Sequence, residues 1–183
     1  MDTRIEDVRY TVSDIMALPD RVRAELIDGE MYMMAPPKLI HQKIIVKLTM
    51  DIANYIENKG GDCEVIPAPF GVFINKDDEN YVEPDISVIC DKSKLDEEGC
   101  HGAPDWIVEV VSPTSRKMDC LIKLNKYRTA GVREYWIVDP QTQKVRVYFF
   151  PEKEEKEYGF SDMIKVRIYD DLNISMEKFR TEV

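Results

Sequence analysis

The longest regular pattern along the chain is helical. Between residues 39 and 58, Ile40, Ile44, Ile45, Leu48, Ile52, Ala53 and Ile56 recur at three- and four-residue spacing, which places them on one face of a helix. Lys59-Gly60-Gly61 supplies its stop, since glycine accepts the left-handed conformation that ends many helices. Two shorter helices are predicted over 13–18, with Thr11 or Ser13 as cap and Pro19 near the stop, and over 119–130, closed by Gly131. Strands are read at 25–34, as two short arms around Asp28-Gly29, and at 63–66, 70–74 and 85–90. Further strands follow at 106–111, at 134–139 and 144–150 around Pro140-Gln141-Thr142-Gln143, and at 163–168 as a final exposed strand. Residues 75–80, 92–102 and 152–157 are polar and read as loops or solvated turns.

The run 106–111 is apolar on both faces save for one carboxylate, the pattern of an interior strand. Helices before and within a strand-rich order predict a mixed α/β core, not an all-β barrel. At 183 residues the chain fits one domain, residues 1–183, with enough buried surface to need no disulfide.

Composition narrows the functional classes. The formal charge of -10 argues against whole-surface attraction to a polyanion, yet acidic residues are what a hard metal requires. Cys63, Cys90, Cys100 and Cys120 form no C-x-x-C pair, which points to reduced thiols in a cytoplasmic setting and away from structural zinc. Met31, Met33, Met34 and Met50 read as core filling. The first residues lack the basic-then-apolar order of a signal peptide, and no apolar run reaches membrane-spanning length.

Glu109 is the most informative position. It interrupts Trp106-Ile107-Val108 and Val110-Val111, where every neighbour argues for burial, and an isolated buried carboxylate is costly. It therefore needs a metal, a cation or strong hydrogen-bond donors, and Arg116 or Lys123 is the ion-pair alternative to a metal. Asp85 opens a neighbouring strand candidate, so the two acids can converge on one magnesium ion, water and phosphate oxygens completing its shell. Asp119, Lys123 and Tyr127 share one helix face; an amine there can orient water or offset phosphate charge, while an ordinary surface Asp–Lys pair explains the same spacing. His41, at the start of the long helix, is suited to moving a proton or binding phosphate, or equally to donating to a carbonyl or carboxylate. Arg116 is a candidate phosphate contact, with a surface salt bridge as the alternative, and Ser112 and Thr114 are read as turn-forming.

These residues sit in a recognisable frame. Glu25-Leu26-Ile27-Asp28-Gly29-Glu30, His41, Pro84-Asp85, the stretch from Asp105 through Glu109 to Arg116, then Asp119, Lys123, Tyr127 and the stretch from Gly131 through Trp136 to Pro140 resemble the Uma2 family, a putative restriction endonuclease family of the PD-(D/E)XK nuclease superfamily. The resemblance spans nearly the whole chain. It implies a restriction-endonuclease-like core, a central mixed β-sheet flanked by helices, here with an N-terminal hairpin extension. It also implies Asp85 and Glu109 as metal ligands and Glu25 as a further acid of the site. The superfamily pattern places a lysine two residues after the second acid, where this chain has Val111; Lys123 matches the family lysine and supplies the amine from the next helix.

The function expected is therefore hydrolysis of nucleic-acid phosphodiesters with Mg2+, or Mn2+ in its place. Asp85, Glu109, Lys123 and Glu25 would be catalytic, supported by His41, Arg116, Asp119 and Tyr127. Nucleic acid is the expected partner, with no membrane association. A homodimer is open to the edge strands at 144–150 and 163–168. Two alternatives stand beside it: a nuclease-fold protein without catalysis that binds nucleic acid or serves assembly, and a metal hydrolase of small phosphoesters.

Overall fold

The computed structural model describes residues 8–75, 77–112 and 118–180. Its centre is a six-stranded mixed sheet made of β3 (Glu64–Pro67), β5 (Ile86–Ile89), β7 (Trp106–Val110), β8 (Glu134–Asp139), β9 (Lys144–Phe149) and β10 (Glu154–Gly159), in the order β10-β9-β8-β7-β5-β3. Only the β7–β8 pair among these is parallel, joined through a helical crossover; the other ladders are antiparallel.

Alternation along the interior strands divides the core into two layers. Val88, Trp106, Val108, Val110, Trp136, Val138, Val145 and Val147 point to one face, where α2 (Leu39–Lys59) lays down Ile44, Ile45, Leu48, Ile52 and Ile56. Phe160, Ile164, Val166, Leu172, Ile174 and Phe179 complete that layer. Ile89, Ile107, Val111, Tyr135, Ile137 and Tyr148 point to the opposite face and pack with Tyr127 of α3 (Leu124–Ala130). α2 ends at Gly60 with φ 61°, the left-handed conformation that the glycine pair foretold.

An N-terminal unit is built on α1 (Val12–Met16), capped by Thr11, and on the hairpin β1 (Ala24–Ile27) and β2 (Glu30–Met33). Leu26 bridges to Tyr81, which docks the hairpin beside the start of β5. β4 (Val72–Phe73) runs parallel to β6 (Cys100–His101), and β11 (Met163–Lys165) pairs with β12 (Asn173–Ser175).

Several expectations are corrected. Residues 152–157 are no solvated turn: a short 3-10 turn, Phe150–Glu152, leads into β10, whose exposed charged run Glu155-Lys156-Glu157 suits an edge strand. Consequently 144–150 is not an edge, because β9 pairs on both sides. The segment 163–168 is neither final nor wholly exposed, since Ile164 and Val166 are buried and β12 follows. The loop at 92–102 contains β6, in which Cys100 is buried. Met33 and Met50 face solvent and fill no core. Cys63 and Cys90, expected as thiols, are joined in a disulfide, because the β3–β5 register that pairs Glu64 with Ile89 brings them together one step further on. Among the described residues, no helix is long and apolar enough to cross a membrane.

Candidate active site

The site lies where β5 begins and β7 ends. In the antiparallel β5–β7 ladder Ile86 faces Val108, so the next step places Asp85 opposite Glu109. Like charges set across a ladder repel, and the surrounding groups answer that repulsion. The Asp85 backbone N–H donates to Glu109 Oε2 at 3.3 Å, and the Val110 N–H donates to Asp85 Oδ2 at 2.7 Å. His41, in the first turn of α2, sets its Nε2 3.1 Å from the same Asp85 oxygen.

Glu109 is held from the other side by the helix that follows its strand. The segment Met118–Lys123 is wound as a π-helix and runs directly into α3, so the predicted helix over 119–130 is present in two windings. Wider turns of this kind recur at functional sites. Tyr135 OH donates to the Asp119 carbonyl at 3.1 Å, which ties the π-turn to the sheet. Lys123 Nζ then donates to Glu109 Oε1 at 2.9 Å, and Tyr127 OH to the same oxygen at 2.9 Å. Asp119 lies 3.6 Å from the ammonium.

Glu25 enters from the hairpin. It repeats the signal that singled out Glu109, one acid in an otherwise apolar buried strand, Ala24-Glu25-Leu26-Ile27. Its carboxylate accepts from Lys123 Nζ at 2.8 Å and from the Glu83 backbone N–H at 2.9 Å. Behind it, Arg23 Nε donates to Glu83 Oε2 at 2.7 Å, and Tyr81 OH to Glu83 Oε1 at 3.2 Å. Sequence reasoning passed over this supporting layer of Arg23, Tyr81 and Glu83; Glu83 beside Pro84-Asp85 was its one visible cue.

Glu25, Asp85, Glu109, Asp119, Lys123, Tyr127 and His41 are thus brought together. Arg116 lies outside the described residues. Lys123 and Asp119 are each 4% exposed, so the alternative of an ordinary surface pair does not hold. The cluster is dry at Glu25, Lys123 and Tyr127 and more open at Asp85 and His41, whose side chains are 15% and 16% exposed.

Burial pushes the Glu109 carboxyl well above its ordinary range, with Lys123 pulling it down and the neighbouring acids adding to the rise. Burial alone would lower the Lys123 ammonium, but Glu109, Glu25 and Asp119 outweigh it and drive it well above its ordinary value. Lys123 therefore stays charged. Burial, followed by Glu109, likewise raises the Tyr127 phenol far up, so it remains a donor.

The donor set suits a divalent cation. Among the described residues, Glu25, Asp85, Glu109 and Asp119 gather around the Lys123 ammonium and His41. Asp85 Oδ1 has no partner among the described residues, and Glu109 Oε2 has only the 3.3 Å contact. Two carboxylates at a partly wet edge match the way magnesium is held, with water filling the remaining positions. Among the described residues no group of three or more His, Cys, Asp or Glu stands ready to hold a metal, so an ion here would rest on Asp85 and Glu109 with water.

Comparison with known proteins agrees with this architecture. An uncharacterized protein of Synechocystis sp., slr1290, is 29% identical over 129 residues, covering 70% of this chain. That match spans 66% of the relative's own length, a little under two thirds. A crystal structure described as a putative nuclease belonging to DUF820, from Anabaena variabilis, superposes with a TM-score of 0.75 at 20% identity, covering 93% of this chain and 97% of the other. At that identity the likeness establishes the fold. A family model, "Uma2: Putative restriction endonuclease", matches residues 12–177. With nearly all of the chain inside that match and the acid–lysine cluster assembled as described, the chain belongs to the Uma2 family of putative restriction endonucleases.

Proposed function

We propose that this protein is a divalent-metal-dependent nuclease that hydrolyses phosphodiester bonds of nucleic acid. The observation that carries the proposal is the pairing of Asp85 with Glu109 across adjacent strands, backed by a buried Lys123. The family membership and the nuclease fold of the Anabaena variabilis structure support the substrate class.

Asp85 and Glu109 would hold Mg2+ or Mn2+, their acceptor-only oxygens being the hard ligands such ions take. When bound, such an ion supplies Lewis acidity toward phosphate and water. Lys123 offers positive charge where the phosphodiester gains negative charge, the role that the absent lysine at Val111 leaves open. Glu25 holds Lys123 from behind, and Tyr127 fixes Glu109 Oε1 inward so that Oε2 faces Asp85. His41 orients Asp85 through Nε2.

The test is cleavage of single-stranded, nicked and duplex DNA and of RNA in Mg2+, Mn2+ or chelator. Metal-dependent cleavage that Glu109→Ala abolishes, in a variant retaining the native circular dichroism spectrum, is the expected result. Undiminished cleavage by Glu109→Ala removes the assignment. Absence of both metal uptake and cleavage on every substrate would leave a nuclease fold used for binding or assembly, and turnover of a small diester unaffected by nucleic-acid competitor would point to small phosphoesters.

A further inference from the structure

Two hydrogen bonds and one longer charge contact hold the Lys123 ammonium. It donates to Glu25 at 2.8 Å and to Glu109 at 2.9 Å, and its remaining side faces Asp119 at 3.6 Å. An ammonium has three donors; two are spent on these carboxylates and the third faces Asp119 beyond hydrogen-bond reach, so at most one remains for a phosphate or a water. It is also the one lysine among the buried described residues, at 4% exposure. A group meant to meet substrate is thus locked among carboxylates, one of which, Glu109, also faces Asp85.

We propose that Lys123 is a resident counter-ion of the ion-free site, which a divalent cation on Asp85 and Glu109 displaces from Glu109 and so releases toward the substrate. The inference rests on the metal-dependent reading above. It follows from sharing: Glu109 gives Oε1 to Lys123 and Tyr127 and turns Oε2 to Asp85, so a dication at Oε2 and the ammonium at Oε1 compete for one carboxylate charge. Two like charges a few ångströms apart in a poorly screened site repel strongly. Of its three contacts, the one to Glu109 is the contact a cation weakens. Glu25 stands on the far side of Lys123, in the dry part of the site, and keeps the amine from leaving altogether. Tyr127 remains to hold Glu109 Oε1 once Lys123 lets go. Activation and metal loading are then one event, and in the ion-free protein the Lys123 amine is held back from phosphate.

Mn2+ affinity, measured calorimetrically, separates this from a purely architectural lysine. Lys123→Met is expected to bind Mn2+ about tenfold tighter or more, because a competing like charge is gone; a lysine that organises the ligands would instead weaken binding when removed. Glu25→Gln combined with Lys123→Met keeps the net charge and removes the buried pair together, which protects folding. It too is expected to bind Mn2+ more tightly than the wild type. On the wild type, side-chain 15N NMR of lysine gives a direct reading: an exchange-protected ammonium signal without Mg2+, lost to exchange at saturation. Mn2+ uptake by the wild type with equal or weaker uptake in both variants, or a protected signal that persists in saturating Mg2+, overturns the displacement alone. No Mn2+ uptake by the wild type overturns the metal-dependent reading itself.

Discussion

Glu25 and Lys123 meet at 2.8 Å although 98 residues separate them, and each is almost wholly withdrawn from solvent. This contact fastens the N-terminal hairpin to the helix behind the central sheet, so the site is also a structural joint. Glu25→Ala leaves a buried ammonium short of one partner and frees the Glu83 N–H as well. A loss of about 3 kcal/mol in unfolding free energy is expected, the low end for a broken buried pair because Glu109 remains. Urea denaturation with an unchanged m-value checks it; a loss below about 1 kcal/mol would mean that Lys123 rests on Glu109 without need of Glu25.

Tyr127 offers a cleaner deletion. Its ring stands edge-on to Tyr135 at 4.9 Å, and only its hydroxyl reaches Glu109 Oε1. Tyr127→Phe keeps the ring and removes one donor to a buried carboxylate, at an expected cost of about 2 kcal/mol. Tyr127→Ala adds a cavity and is expected to cost about 2 kcal/mol more. Chemical denaturation of both variants checks the order, and equal losses would mean that the hydroxyl contributes nothing beyond the ring.

Much of this was legible in the sequence, and the reasons are local. Glu109 stands alone in an apolar strand, a pattern that only burial with a partner explains, whereas Glu25 was marked as a site acid by the family resemblance alone. The long helix announced itself by period and by Gly60. β10 was hidden because Glu154-Glu155-Lys156-Glu157 has the composition of a loop, and an exposed edge strand needs no apolar alternation. Lys123 was ambiguous for a different reason: i,i+4 spacing to Asp119 is the same on a surface as in a core, and only the family resemblance chose between them. The disulfide was illegible because Cys63 and Cys90 become neighbours through the β3–β5 register, which spacing alone does not encode.

That disulfide closes a segment of 27 residues between the edge strand and the strand that Asp85 precedes. A loop of this length corresponds to about 3–4 kcal/mol of lost unfolded-state entropy. Cys63→Ser is therefore expected to lower the melting temperature under oxidising conditions and to match the wild type closely in excess dithiothreitol. A melting temperature indifferent to both the reductant and the substitution would show that the bond adds no stability.

Glu134 predicts a pH dependence seated away from the site. It is fully buried, accepts Trp136 Nε1 at 2.6 Å and the N–H groups of Arg167 and Ile168 at 2.7 and 2.8 Å, and so pins the C-terminal segment to β8. Burial pushes its carboxyl up to about 7, against those three donors and Arg167, which favour the charge. A carboxyl raised in the folded state binds more protons there than in the unfolded chain. Its contribution is complete below its ordinary value of 4.5 and is lost as pH rises toward about 7. The loss is on the order of 3 kcal/mol across that window. Glu134→Gln cannot titrate and faces its amide toward a donor, so it carries a constant offset; the slope is what it removes. Unfolding free energy measured from pH 4 to 8 should fall more steeply in the wild type than in Glu134→Gln, and the two curves should run parallel above about pH 8. Parallel curves throughout the range would mean that the three N–H donors hold Glu134 ionised in the folded state, and that burial is fully offset.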